Sequence, residues 1–178
     1  MDLLICLVLL PAISFFVVVG VLLLAVPTKG RVFFTQKRLG LAGKEFTIYK
    51  LRTLKSGANH DTAGMSRGSN DFVAFGRWIR RWRIDELPQV LNILMGEMSW
   101  IGPRPERPHI AAQCVQKDAR FADRLHVRPG ITGWAQVHLP NATPVENMDK
   151  LPYDLEYVQR ATLAMDLRII GKTLTAIL

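Results

Sequence analysis

Asp85 and Glu86 stand side by side just after an arginine cluster, inside the segment Arg80 to Pro108, RRWRIDELPQVLNILMGEMSWIGPRPERP. A carboxylate pair beside fixed positive charge suits phosphoryl chemistry. An ionised carboxylate can attack as a nucleophile or hold a divalent cation, and guanidinium forks can take up phosphate charge. An element to position the pair is also legible. Leu87 to Met95 reads as a helix that Asp85 caps, with Pro88 tolerated in the first turn and Gly96 as the stop. Both carboxylates then lie at a positive helix end.

The chain has 178 residues and a formal net charge of +8, enough for one modest domain with an appendage. Most of the charge is local: Lys29 to Arg83 holds thirteen Lys or Arg against the acids Glu45, Asp61 and Asp71. The partner is therefore expected to be anionic, whether nucleic acid, lipid headgroups or a phosphorylated small molecule. Cys6 and Cys114 have no paired spacing, so no disulfide framework is implied. His60, His109, His126 and His138 are too scattered for a zinc site.

Leu3 to Val26 carries no charged residue and would extend about 36 Å as a helix, against roughly 30 Å of hydrocarbon. It reads as a membrane anchor over residues 1–28, followed by a cytoplasmic domain over 29–178. Met1-Asp2 lacks the basic start of a secretory signal, and Lys29, Arg31, Lys37 and Arg38 place the body on the cytoplasmic face of the inner membrane. Pro11 and Ser14 allow either a kinked span or a re-entrant hairpin.

The expected fold class is α/β, mostly helical and membrane-associated. Val32 to Gln36 and Phe46 to Leu51 form a small β-hairpin. Lys55 to Asn70 is polar and glycine-rich and reads as a loop. Asp71 to Trp82 puts Phe72, Phe75, Ile79 and Trp82 on one face of an amphipathic helix, which Trp78 and Trp82 suit to a membrane interface. Further helices are expected at Pro108 to Phe121, Val145 to Arg160 and Thr162 to Ile177, around a compact catalytic domain.

RIDELPQVLNILMGEMSWIGPRPERP followed by HVRPGITGWAQV resembles the bacterial sugar transferases, the monotopic phosphoglycosyl transferases of surface-glycan assembly. VFFTQKRLG, FTIYKLRT, the Tyr153 to Val158 region and MDLRII extend the resemblance over nearly the whole chain. Two departures stand out. The Ser-Pro pair common deeper in the family's membrane helix is not matched by Pro11 and Ser14, and the polar glycine-containing turn usual after WAQV is replaced by His138-Leu139-Pro140-Asn141.

The resemblance implies transfer of a phosphosugar from a UDP-sugar to polyprenyl (undecaprenyl) phosphate at the lipid bilayer, with release of UMP. By the same resemblance Asp85 is the nucleophile that carries the phosphosugar, and Glu86 orients groups, helps bind Mg²⁺ or moves a proton. Asp85 and Glu86 are also the expected Mg²⁺ ligands. Arg80 and Arg104, the latter held between prolines, are the first candidates for phosphate, and Arg128 for the nucleotide. Lys50, Arg52, Gln136 and Asp154 complete the candidate substrate-binding set, and a homo-oligomer is compatible with all of this. A membrane-tethered nucleic-acid-binding module would leave Asp85, Glu86 and the GPRP turn without a role and shows no recognition motif, so no nucleic-acid partner is expected. An inactive scaffold would have no need of intact motifs.

Overall fold

The computed structural model describes residues 2–55, 71–140 and 146–177. Apart from Lys55, the segment Lys55 to Asn70 lies outside them, as do Asn141 of the turn after WAQV and Val145, the expected start of a helix. The structure is mostly helical with two small sheets. It divides into two compact units: residues 1–35 with 49–91, and residues 36–48 with 92–178.

The first unit begins with α1, Asp2–Ala25, which continues through Pro11. This is the one helix among the described residues long and apolar enough to cross a membrane. It is apolar all round, and Leu7 and Leu22 remain 70% and 69% exposed. A surface of that kind needs apolar surroundings. Thr28 Oγ1 donates to the Leu24 carbonyl at 2.6 Å, and the N–H of Gly30 (φ 81°) reaches the Ala25 carbonyl, which closes the helix end.

Strands β1 (Phe33–Leu39) and β2 (Glu45–Leu51) form the expected hairpin, each somewhat longer than its apolar stretch suggested. Ala42 (φ 53°) and Gly43 (φ 76°) make the connecting turn. In the first unit Leu24, Val32, Leu51, Val73, Ile79 and Ile84 share a core. Each such buried aliphatic contributes about 1.5–3 kcal/mol. Gly20 is part of the fit, since a Cβ there would come within 2.6 Å of Leu51 and 3.4 Å of Ile84.

The helix expected over Asp71 to Trp82 is shorter: α2 spans Gly76–Arg81. Phe72 instead bridges Leu54 in an antiparallel pair. The backbone of Gly76 approaches the Thr53 carbonyl so closely that a Cβ would collide with it, so tertiary contact outweighs helical periodicity here. Ile79 is fully buried, whereas Phe75 and Trp82 face outward with Trp78, so the single apolar face expected from the sequence is split. A 3-10 helix, Ile84–Gln89, then leads into α3, Val90–Leu94. Gly96, with φ 75°, is the stop.

In the second unit β3 (Ser99–Ile101) and β4 (Gly130–Thr132) pair in parallel, with Ser99 opposite Gly130 and Ile101 opposite Thr132. Between them run α4 (Pro108–Lys117) and a 3-10 helix, Ala119–His126. α4 ends before Phe121 because Asp118 turns to extended backbone, and its side chain accepts the Arg120 N–H at 2.9 Å. α5 (Trp134–His138), α6 (Asn147–Arg160) and α7 (Leu163–Ile177) follow. One core holds Ala111, Cys114, Phe121 and Leu151, the other Ile101, Tyr157 and Ile169. Both cysteines are free and buried.

Candidate active site

Arg83 adopts a left-handed conformation (φ 53°) that turns the chain out of α2, and its carbonyl accepts the Glu86 N–H at 3.1 Å. The 3-10 helix therefore begins at Ile84, earlier than the sequence suggested. Asp85 is not its N-cap: it lies inside the first turn with Glu86, because the residue before the helix is Arg83, which makes no side-chain cap. Both carboxylates still occupy the helix's first turn, as expected. They are only 5% and 7% exposed.

Burial of two acids requires compensating charge. Lys50, reaching in from β2, donates from Nζ to Glu86 Oε1 at 2.6 Å. Arg80 Nε lies 3.9 Å from Asp85 Oδ2, and Arg83 Nη1 lies 3.8 Å from Glu86 Oε2. Both distances are beyond a hydrogen bond. The Arg80 guanidinium also stands 5.7 Å from the centre of the Phe72 ring. Three cations around two carboxylates leave an excess positive charge, and Arg80 and Arg83, 40% and 39% exposed, can turn donors toward an incoming anion.

Of the residues singled out from sequence, Lys50, Arg80, Asp85 and Glu86 are thus brought together. Arg52 belongs to the same unit, but its guanidinium donates to the carbonyls of Arg31 and Phe33 at 2.9 and 3.4 Å, which ties the hairpin. Arg83 was missed as a site residue. Its place in the basic cluster was visible, but a left-handed turn that returns its side chain to Glu86 was not.

The second unit holds Arg104, Arg128, Gln136 and Asp154. The turns bearing Arg104 and Arg128 are joined through backbone: Gly102 N–H donates to Thr132 O at 2.9 Å and Gly130 N–H to Pro103 O at 3.0 Å. A Cβ at Gly102 would strike the Arg128 carbonyl, and one at Gly130 would strike the Gly102 nitrogen, so glycine is required for this approach. Arg104 is half-buried and Arg128 exposed. Pro103, Arg104, Pro105, Phe121, Val127 and Pro129 contribute to the wall of a cavity of about 430 Å³.

Asp154, 2% exposed, accepts from Arg124 Nε at 2.7 Å, and Arg124 Nη2 donates to the Arg104 carbonyl at 2.9 Å. Burial pushes the Asp154 carboxyl up, against the pull of the Arg124 guanidinium. Asp154 acts here through Arg124 on the GPRP turn. Gln136 similarly supports backbone, donating to Ile131 O at 2.8 Å. Nothing in the sequence pointed to Arg124, which sits in an ordinary charged stretch. Nearby, burial lowers the Lys150 ammonium, Glu106 opposing that shift and Arg104 and Arg124 adding to it.

Among the described residues no three His, Cys, Asp or Glu side chains converge as a metal-binding group. Asp85 and Glu86, neighbours in the first turn of one 3-10 helix, carry hard carboxylate oxygens, the donor type that fits Mg²⁺, which takes one or two protein carboxylates and completes its shell with water and phosphate oxygens.

The model of the bacterial sugar transferase family matches residues 1–178. Among curated proteins, the UDP-glucose:undecaprenyl-phosphate glucose-1-phosphate transferase of Xanthomonas campestris pv. campestris is 40% identical over 154 residues, covering 84% of this chain and 32% of that protein. The UDP-N-acetylgalactosamine-undecaprenyl-phosphate N-acetylgalactosaminephosphotransferase of Aeromonas hydrophila is 36% identical, covering 100% of this chain and 43% of that one. The uncharacterized sugar transferase EpsL of Bacillus subtilis (strain 168) is 41% identical, over 83% of this chain and 70% of its own length. The chain spans 32% and 43% of the first two relatives. Matched from its first residue to its last, it belongs to the bacterial sugar transferase family.

Proposed function

We propose that this chain transfers a sugar phosphate from a UDP-sugar to polyprenyl phosphate at the cytoplasmic face of a bacterial inner membrane, as the first membrane step of surface-glycan assembly. The observation that carries the reading is the buried Asp85–Glu86 pair, with Lys50 bonded to Glu86 at 2.6 Å and two half-exposed arginines just beyond hydrogen-bond range. The names of the relatives support the substrate pair of a UDP-sugar and undecaprenyl phosphate.

In the first step an Asp85 carboxylate oxygen attacks the β-phosphorus of the UDP-sugar. A new P–O bond forms, the bond to the α-phosphate oxygen breaks, and UMP leaves with that electron pair. In the second step an oxygen of polyprenyl phosphate attacks the same phosphorus and returns the carboxylate. Dividing one displacement into two in this way gives ping-pong kinetics. Arg80 and Arg83 would neutralise charge building on the equatorial oxygens. Lys50 holds Glu86 in place, so that Glu86 orients the reacting groups. Mg²⁺, held by Asp85 and Glu86, would supply neutralisation of diphosphate charge.

Helix α1 supports a membrane location for the reaction. A polyprenyl phosphate keeps its tail in the bilayer and its phosphate at headgroup height, and the unit containing α1 also contains the dyad. The test is UMP release by the full chain in detergent with Mg²⁺, polyprenyl phosphate and a panel of UDP-hexoses and UDP-N-acetylhexosamines. Release with at least one donor, its loss in Asp85→Asn and a labelled phosphosugar trapped on the protein are expected. Full activity of Asp85→Asn removes the proposed nucleophile.

A further inference from the structure

We infer that α2 and the turn before it bind the headgroup of an anionic phospholipid, at a place distinct from the reacting groups. From Phe72 to Ile84 the chain has four arginines and no acid. α2 turns Gly76 and Ile79 inward, Ile79 being 0% exposed. Phe75, Trp78 and Trp82, spaced as one helical stripe, remain 57%, 48% and 44% exposed. Phe75 is also held at φ 62°, an unfavourable backbone for a bulky residue. Arginine and tryptophan exposed together suit the boundary between headgroups and acyl chains, where an aromatic ring has an apolar body in lipid and a polar edge in water.

The depth of this surface follows from the core of its unit. Ile79 of α2 and Leu24, at the last turn of α1, belong to the same buried cluster. With α1 in a bilayer, α2 lies level with the end of the apolar helix, where Lys29 and Arg31 begin the basic stretch. The inference rests on that bilayer reading. An open concavity at this level is lined by Phe72, Val73, Phe75, Arg77, Trp78 and Arg81. Arg77 stands 5.4 Å from the centre of the Phe72 ring. The guanidiniums of Arg77 and Arg81 complement a lipid phosphate, and the aromatic walls complement glycerol and the first acyl carbons. Arg80 stands 5.7 Å from the same ring but does not line the concavity, and its Nε lies 3.9 Å from Asp85.

The experiment uses the full chain in nanodiscs of phosphatidylcholine, with or without phosphatidylglycerol, one of the two lipids carrying brominated acyl chains. Tryptophan quenching by brominated phosphatidylglycerol is expected to exceed that by brominated phosphatidylcholine, and the excess is lost in Trp78→Phe/Trp82→Phe. Arg77→Gln/Arg81→Gln should weaken the apparent affinity for phosphatidylglycerol by about fivefold per arginine, read as loss of the excess quenching at a fixed phosphatidylglycerol fraction, with UMP release retained. Equal quenching by the two lipids, or an unchanged lipid dependence in the arginine variant, overturns the inference. So does loss of the preference on adding polyprenyl phosphate, which would assign the surface to the lipid substrate. A chain that floats with discs of neither composition overturns the bilayer reading itself, and this inference with it.

Discussion

The Arg80–Asp85 pair of the first unit and the Arg124–Asp154 pair of the second join the same two side-chain types in opposite ways. Arg124 and Asp154 are 6% and 2% exposed and meet at 2.7 Å, with a further guanidinium nitrogen bonded to the Arg104 carbonyl. Arg80 is 40% exposed and stops 3.9 Å short of Asp85. In the second unit the arginine's donors are directed at protein acceptors and hold a turn in place. In the first, the geometry leaves donor capacity to be completed from outside. Residue type alone would rank the two pairs equally; distance and exposure separate a closed pair from an open one.

The largest expected effect comes from removing the carboxylate proposed as the nucleophile. Asp85→Asn should lower UMP release by about 10⁴-fold or more while leaving the unfolding temperature in detergent nearly unchanged. Arg124→Ala should behave in the reverse sense, costing about 3–5 kcal/mol of stability by leaving Asp154 buried without its partner. Thermal unfolding would show it, and the paired replacement Arg124→Met/Asp154→Leu should recover much of the loss. If Arg124→Ala melts like the parent, the contrast between the two pairs fails.

Arg80→Lys keeps the charge and loses the fork, so KM for the UDP-sugar should rise about tenfold with unchanged unfolding. Lys150→Met probes the second unit through pH. The folded-state pKa of Lys150 lies below its ordinary 10.5, so the folded chain releases this proton first, and the parent gains stability as pH rises from the folded value to 10.5. The variant lacks this alkaline gain, and unfolding curves across that window would show the difference. The smallest effect belongs to the exposed Asp118–Arg120 pair, where Asp118→Asn should leave unfolding unchanged within error despite a 2.7 Å contact.

The legible elements are those whose signals are local. The long apolar helix, the hairpin and the stop at Gly96 each follow from neighbouring residues, as does the acid pair beside Arg80. What was missed depends on distant contacts. The partner of Glu86 is Lys50, 36 residues away. The β3–β4 pair has three residues per strand, too few for alternation to register. The early end of α2 toward its N-terminus is imposed by the Thr53 backbone at Gly76. Arg124 gave no sign of its role because a buried ion pair is written in two places, and only the fold aligns them.

Gly20 gives α1 a meaning beyond hydrophobicity. Its missing side chain lets the helix meet Leu51 and Ile84, and Ile84 immediately precedes Asp85. The helix is therefore not an interchangeable anchor. A chimera carrying a polyleucine helix of equal length would keep the apolar character and lose the socket under the dyad, whereas one retaining Gly20 and Leu24 would keep both. In engineering terms, the compact unit that holds Asp85 and Glu86 includes the helix.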